Sequence, residues 1–187
     1  MKKILLYFIL LLFGLSSAVS AQNVSNPVKR KMNLAVLGML EKLEEVSALS
    51  SASDAEEFVA MFRDPDVLIF NDLIGLHDSQ VISLTEYVSA LGKMKDVSVT
   101  FSDIEKSAPY IDAGSLCVRV SLDKTMSYRD GRNVLYSSDE IYGSPYGIQI
   151  VFSYDDFDGT CLIESVEGGE DPVVMVGKDH VIYREQK

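Results

Sequence analysis

Residues 116–123 read Leu-Cys-Val-Arg-Val-Ser-Leu-Asp, and residues 148–154 read Ile-Gln-Ile-Val-Phe-Ser-Tyr. Apolar side chains recur at every second position in both stretches, which is typical of β-strands that bury one face. The alternation continues, interrupted by turns, from about Val97 to Val166. The sequence therefore predicts an antiparallel sheet over this half of the chain.

Turn residues divide the sheet region into strands. They lie at Pro109 to Gly114, Asp130-Gly131, Gly143 to Gly147 and Asp158-Gly159. The two Asp-Gly pairs predict tight hairpins, because glycine accepts the positive φ that such turns need. Residues 133–154 are compatible with one long bent strand or with two strands.

Three helices are predicted before the sheet. The first runs from about Met32 to Leu49 and buries a stripe at helical spacing, formed by Val36, Leu40, Leu43 and Val46. The second begins with a capping box, Ser53 with Glu56, and the third with Ser83 and Glu86. The second helix buries Phe58, Met61 and Phe62 and stops at Asp64-Pro65-Asp66, and the third ends at Gly92.

Two short strands are predicted between the second and third helices. They are Val67 to Asn71 and a second strand near Val81, joined by a loop that contains His77 and Asp78. The sequence thus predicts an α+β fold with three N-terminal helices covering a curved sheet.

The chain begins with features of a secretory signal. Lys2 and Lys3 precede an apolar run from Ile4 to Leu15, and small residues lead to a cleavage site near Ala21. The run is shorter than the roughly 20 residues of a spanning helix, so we expect export to the periplasm or the exterior and no membrane insertion afterwards. The expected domains are residues 1–21 as signal peptide, 22–33 as a loose leader, 34–168 as the folded domain and 169–187 as a tail that contains a hairpin.

The charge of the chain argues against some partners. The signal carries two of the 17 Lys and Arg residues and none of the 28 Asp and Glu residues, so the mature chain has a net charge of −13. Nucleic acids and anionic membrane surfaces need a positive footprint, so neither is an expected partner. An acidic surface also keeps an exported protein soluble.

Cys117 and Cys161 would enter an oxidising compartment, where a disulfide must be considered. They fall on strands that a simple meander does not place side by side. Strands two apart lie roughly 9.5 Å from each other, which exceeds the Cα separation of about 7 Å that a disulfide tolerates. Free thiols are therefore predicted.

The order of elements resembles the nuclear transport factor 2-like, or cystatin-like, superfamily, and more narrowly its secreted members of unknown function from gut bacteria. Phe70-Asn71-Asp72 at the end of the short strand carries this resemblance, which covers roughly Leu34 to Glu167. It also rests on Phe58, Val59, Met61 and Phe62 in the second helix, and on Ser153, Tyr154, Asp155 and Cys161 in the late hairpin. The resemblance implies a cone with a pocket between helices and sheet, and often a dimer through the outer face of the sheet. Activity differs among its members, so the fold alone does not give a function.

Isomerase-like members of this superfamily use a pocket carboxylate as a base, with Tyr or a second acid as hydrogen-bond donor. The residues of this type here are Asp72, His77, Asp78, Tyr87, Tyr136 and Glu140. Asp72 would face a pocket mouth or, with Asn71, form a turn through side-chain to backbone bonds. His77 beside Asp78 would form a proton-transferring pair or lie exposed in its loop. Asp72 and His77 are the catalytic candidates, and no residue is carried over from a characterised relative.

Tyrosines concentrate in the sheet region, and a concave face lined with them would bind an apolar or glycan-like ligand. Tyr87, Tyr136 and Tyr154 are the candidate ligand contacts, although strand propensity alone also enriches Tyr in sheets. No cofactor is predicted. No metal site is predicted either, because the His and Cys residues lack ligand spacing, and Asp155, Asp156, Asp158 and Gly159 match a hairpin turn better than a calcium loop.

The sequence supports three functional hypotheses. The favoured one is an exported, non-enzymatic binding or interaction module whose partner is an unidentified small molecule or protein, with a homodimer through the sheet. The second is a small-molecule enzyme of isomerase or cyclase type that uses Asp72 or His77. The third is an assembly role in which the outer sheet face, or the tail from Val173 to Tyr183, docks a partner.

Overall fold

A computed structural model describes residues 24–73, 81–137 and 146–168. The helices are α1 (Asn26–Val46), α2 (Ala52–Ala60) and α3 (Leu84–Leu91). The strands are β1 (Leu68–Phe70), β2 (Val81–Ser83), β3 (Lys95–Lys106), β4 (Tyr110–Asp112), β5 (Ser115–Arg129), β6 (Leu135–Ser137), β7 (Tyr146–Tyr154) and β8 (Cys161–Gly168). Three helices cover one strongly curved sheet, as the sequence predicted.

Helix α1 begins six residues earlier than predicted. Pro27 lies in its first turn, where a fixed φ suits a helix and the missing N–H removes no bond. Met32 is fully buried beneath the same stripe that the sequence assigned to Val36 and Leu40. The predicted loose leader, residues 22–33, is therefore helical from Asn26 onward.

Helix α2 has its capping box two residues earlier than predicted. Ser51 accepts from the Asp54 amide at 3.1 Å, and the Asp54 carboxylate accepts from the Ser51 amide at 3.0 Å. Both Ser51–Asp54 and Ser53–Glu56 match the capping pattern in sequence, and only the structure separates them. The predicted box of Ser83 and Glu86 at α3 is confirmed.

The sheet order is β2-β1-β8-β7-β5-β3, with β4 and β6 also paired to β5. All of these pairs are antiparallel except β1 with β8, where Ile69 pairs in parallel with Val166. The expectation of a wholly antiparallel sheet is wrong at this pair. A parallel neighbour needs a long connection rather than a hairpin, and residues 71–160 lie between β1 and β8.

Strand β5 is the central strand of the sheet, since it pairs with four other strands along its 15 residues. Its even-numbered residues from Val118 to Tyr128 are buried, whereas most of its odd-numbered ones are partly or fully exposed. The helices cover the even-numbered face, so this face of the curved sheet forms the inside of the cone. Within residues 133–154 the structure describes two segments, β6 and β7, which both pair with β5, and the residues between them lie outside the described part of the chain.

Two of the predicted glycine turns have different outcomes. Gly159 has φ of 80°, as the Asp158-Gly159 hairpin required. In the turn after β5, however, the left-handed residue is Asn133, with φ of 63°, rather than Gly131. Asn tolerates this conformation better than most other residues, so the turn forms although the assignment to Gly131 was wrong.

Cys117 and Cys161 are free thiols in the structure. They lie on β5 and β8 with β7 between them, as the meander argument predicted. Cys117 is opposite Ser153, whereas Cys161 is opposite Tyr154, the next residue of β7. Because neighbouring residues of a strand point to opposite faces, the two thiols also face different sides of the sheet.

Candidate functional site

The candidate site forms where β1 ends inside the cone. Ile69 and Phe70 are buried, and the side-chain oxygen of Asn71 accepts from the Leu73 amide at 3.1 Å. Asn71 therefore makes the expected turn through its side chain. Asp72 does not share that role, because its side chain is buried and faces the interior.

Three donors converge on the Asp72 carboxylate. Tyr87 of α3 donates to Oδ1 at 2.9 Å, Lys124 of β5 donates from Nζ to Oδ2 at 2.6 Å, and Tyr146 of β7 donates to Oδ2 at 2.7 Å. Lys124 also donates to the Tyr87 hydroxyl at 3.3 Å. We call these four residues the Asp72 quartet.

The sheet register positions half of the quartet. Lys124 and Tyr146 are direct cross-strand partners of β5 and β7, so their side chains leave the same face of the sheet. Helix α3 brings Tyr87 over this pair, and the Lys124 ammonium lies 5.8 Å from the Tyr87 ring centroid. The ring of Phe58 in α2 stacks on the Tyr87 ring, with 6.1 Å between the two ring centroids.

The quartet contains a buried ion pair. The side chains of Lys124 and Asp72 are 10% and 4% exposed, and charged groups are seldom buried to this degree unless they are paired. Burial, and next the charge of Asp72, raises the pKa of Tyr87 well above its ordinary value of 10.0. Tyr87 therefore keeps its proton at neutral pH and remains a donor.

A small cavity of about 30 Å³ adjoins the quartet. Its polar lining comes from Asp72, Tyr87, Lys124 and Ser47, and its other lining residues are apolar. One water needs roughly 10–15 Å³ by this measure, so the cavity holds about two water-sized groups. Ligand pockets for drug-sized molecules measure about 300–1,000 Å³. In the described part of the chain, the cavity beside Asp72 is therefore much too small for a drug-sized ligand.

The structure brings only some of the predicted site residues together. Asp72 and Tyr87 lie in the quartet. Tyr136 instead stacks on Tyr128 with 5.4 Å between ring centroids, and its hydroxyl lies beside Asp130 and Arg132. Tyr136 does not line the cavity.

Tyr154 is buried but lies at the opposite end of β7 from Tyr146. Eight residues of extended strand span roughly 26 Å, so Tyr154 and the quartet cannot contact one small ligand. Tyr154 therefore lies apart from Tyr87, and ligand contact by Tyr87, Tyr136 and Tyr154 stays a prediction. His77, Asp78 and Glu140 lie outside the described residues.

Sequence reasoning missed Lys124 and Tyr146 as site residues, although both carried a signal. Lys124 follows Val118, Val120 and Leu122 in the same period-two phase, and Tyr146 precedes Ile148 and Ile150 in phase. A lysine in the buried phase of a strand needs an internal counter-charge. Asp72 provides it.

No arrangement for a metal appears among the described residues, where no three His, Cys, Asp or Glu side chains cluster suitably. In the same part of the chain, no helix combines the length and apolar character of a bilayer span.

No family model matches the chain, and no curated protein matches it. Among solved structures, it is similar to a provisionally named scytalone dehydratase from Novosphingobium aromaticivorans, with 11% identity, a TM-score of 0.52, and coverage of 76% of this chain and 86% of that one. An uncharacterised protein with a cystatin-like fold from Caulobacter vibrioides has 13% identity, a TM-score of 0.46, and coverage of 72% and 86%. The association domain of C. elegans CaMKII has 14% identity, a TM-score of 0.47, and coverage of 76% and 97%.

At these identities the comparisons concern the fold alone. The first of these matches, with its TM-score of 0.52, together with the three helices and the curled mixed sheet, shows that the chain has the nuclear transport factor 2-like α+β fold.

Proposed function

We propose that this protein is an exported, non-enzymatic binding module that acts through its surface rather than through a catalytic pocket. One observation carries the proposal: the Asp72 carboxylate is held by three internal donors beside a cavity of about 30 Å³. A general base must reach the substrate proton within about 2.6–3.2 Å. Internal donors already occupy three of the roughly four lone-pair sites of this carboxylate, and the adjoining cavity is far smaller than a ligand pocket.

The quartet has a structural role in this proposal. It joins the end of β1 to α3, β5 and β7 through one carboxylate, and the described residues leave no buried side-chain polar atom without a partner. A fully satisfied buried polar network favours one arrangement of the surrounding core. The cone then holds a fixed shape, as a surface-binding module requires.

The test compares three forms of the mature chain from Gln22: wild type, Asp72→Asn, and Tyr136→Phe as a control that removes a hydroxyl outside the quartet. Each is mixed with small ketones, hydroxyketones and phenols while turnover and amide chemical shifts are recorded. We expect no turnover and no saturable shift at Tyr87 or Lys124. Turnover that Asp72→Asn abolishes and Tyr136→Phe retains would overturn the proposal.

Export is tested separately by the mass of the secreted chain. The signal features predict an N-terminus at Gln22. A chain that stays with the cells and keeps Met1 would contradict the exported part of the proposal while leaving the pocket argument unaffected.

A small-molecule enzyme of isomerase or cyclase type is the second candidate. The observation that favours it is the convergence of a carboxylate, two Tyr hydroxyls and an ammonium in an otherwise apolar cone. In that role Asp72 would take a proton while Tyr87, whose pKa is raised by burial, donates a hydrogen bond to a substrate oxygen. The similarity to a provisionally named dehydratase supports a fold able to carry such chemistry. This candidate requires the cavity to widen, and a crystal soaked with a turned-over substrate would show whether it does.

A further inference from the structure

A hydrophobic side chain stands at the tip of the β7–β8 hairpin. Phe157 is 99% exposed, whereas several hydrogen bonds hold the turn beneath it. Asp155 accepts from the Phe157 amide through its side chain at 2.8 Å and from the Gly159 amide through its carbonyl at 2.9 Å. Asp158 accepts from the Thr160 amide at 2.8 Å. Because the turn is already ordered, burying Phe157 against a partner would cost little ordering entropy.

The start of α1 lies beside this tip. Lys31 forms an ion pair with Asp156, with 3.1 Å between Nζ and Oδ1. One helical turn further, Leu34 is 63% exposed, and Leu37 is 39% exposed. Leu34 is three residues from Lys31 and four from Arg30, so it has both cations as neighbours on the helix surface. Tip and helix therefore form one continuous surface, which we call the tip–helix patch.

Each half of the patch carries an apolar side chain, and the charges around it have opposite signs in the two halves. The tip carries Phe157 with acids on either side of it, Asp156 and Asp158, and the helix carries Leu34 beside Arg30 and Lys31. Each half thus offers what the other would need: an apolar contact surrounded by the opposite charge. Within one molecule, Lys31 and Asp156 form an ion pair between the two halves.

We propose that two copies of the chain associate through the tip–helix patch, with Phe157 of each copy lying on Leu34 and Leu37 of the other. A two-fold axis forms both contacts at once, because every copy presents a tip and a helix side by side. Few apolar side chains take part, so we expect a small interface and a weak, reversible dimer. This inference rests on the proposed surface-binding role and names its partner as a second copy.

The outer face of the sheet is a poorer candidate for self-association. Along β5 it presents Arg119, Ser121, Asp123, Thr125 and Ser127, all of them polar. The dimer through the sheet that the sequence suggested remains a prediction, and the same experiment separates it from the tip–helix dimer.

Sedimentation velocity of the mature chain over a wide concentration range tests the proposal. We expect a monomer–dimer equilibrium whose dissociation constant rises about tenfold or more in Phe157→Ser and in Leu34→Ser, as for central interface residues. Asp158→Lys and added salt should also weaken it. Val134→Ser is the matched control, since Val134 is 45% exposed at another turn, and it should leave the equilibrium unchanged. Far-ultraviolet circular dichroism confirms that each variant is folded.

Three outcomes would overturn the proposal. The first is a chain that remains monomeric at every concentration, and the second is a dimer insensitive to Phe157→Ser but broken by Thr125→Arg, which would place the contact on the sheet. The third is a series of species larger than the dimer that Phe157→Ser abolishes. Such a series would show an open head-to-tail assembly instead of a closed two-fold dimer. Failure of the binding-module proposal looks different, since it appears as turnover dependent on Asp72 in any oligomeric state.

Discussion

Replacing Lys124 by Met should destabilise the protein far more than replacing an exposed lysine. The change removes the ammonium 2.6 Å from Asp72 and leaves a buried carboxylate with only Tyr87 and Tyr146 as donors. Removing one partner of a buried ion pair typically costs about 3–5 kcal/mol. A domain of this size is stable by roughly 5–15 kcal/mol in total, so the loss is a large fraction of its stability.

The assay is urea unfolding at neutral pH, applied to Lys124→Met, Asp72→Asn and the double variant. Asp72→Asn should cost about 3 kcal/mol or more, because it leaves the ammonium buried without its counter-charge. The double variant should lose about 2–3 kcal/mol less than the sum of the single variants, since it leaves neither charge unpaired. This non-additivity is the signature of direct coupling.

Lys42→Met provides the matched control. Lys42 pairs with Glu57 at the surface, where both side chains are more than 40% exposed, and such pairs are worth roughly 0–1 kcal/mol. If Lys124→Met cost no more than Lys42→Met, or if the cycle were additive, the quartet would not hold the cone together. The structural argument made for it would then be refuted.

Four further predictions follow from particular contacts. The raised pKa of Tyr87 means that the folded state holds its proton more tightly than the unfolded state, so the free energy of unfolding should fall as the pH rises above about 10. Urea unfolding between pH 8 and 11 measures this fall, which Tyr87→Phe should flatten and Tyr136→Phe should not. Burial raises the pKa of Cys161 to about 11 and also raises that of Cys117, so the purified chain should contain two thiols that react with Ellman's reagent slowly when folded and rapidly in urea. A mass lower by two hydrogens, indicating a disulfide, would contradict this. In the two-residue turn between β4 and β5, Ala113 has φ of 47° and Gly114 has φ of 87°, so Ala113→Asn should raise the free energy of unfolding by about 0.5–1 kcal/mol. An unchanged or lower free energy of unfolding would argue against a left-handed turn there. A Cβ added at Gly168 would lie 2.8 Å from the Phe70 ring, so Gly168→Ala should lower the melting temperature. Gly131→Ala is the control and should leave the melting temperature unchanged, because nothing lies within 4 Å of a Cβ added there.

Much of the fold was predictable because the signals are local. Period-two alternation identified β5 and β7, and helical spacing identified the buried stripe of α1. The Ser83–Glu86 box fixed the start of α3, because a capping box needs only residues that are close in sequence. Where two local patterns competed, as at Ser51 and Ser53, the sequence could not choose between them.

The candidate site was less predictable because its members are distant in sequence. Asp72 and Tyr87 were recognised as candidates, but Tyr136 and Tyr154 were grouped with them by residue type alone. Lys124 carried a signal in its strand phase, which predicted burial but not the identity of its partner. The Asp158-Gly159 pair predicted a hairpin turn, but nothing in the sequence singled out Phe157 before it, and only its exposure in the structure distinguished it from the buried aromatic residues.

The sequence by itself determined the periodicity of the strands, the start of α3, most of the turns and the acidic charge, since each depends on neighbouring residues or on a sum over the chain. The tertiary structure alone decided that β1 pairs in parallel with β8, that Lys124 meets Asp72, and that Lys31 meets Asp156 at the β7–β8 tip. These contacts join residues 52 to 125 positions apart, or place a strand beside a neighbour remote in sequence. They depend on how all elements pack together, because a buried charge accepts only the partner that the whole fold brings within hydrogen-bond distance.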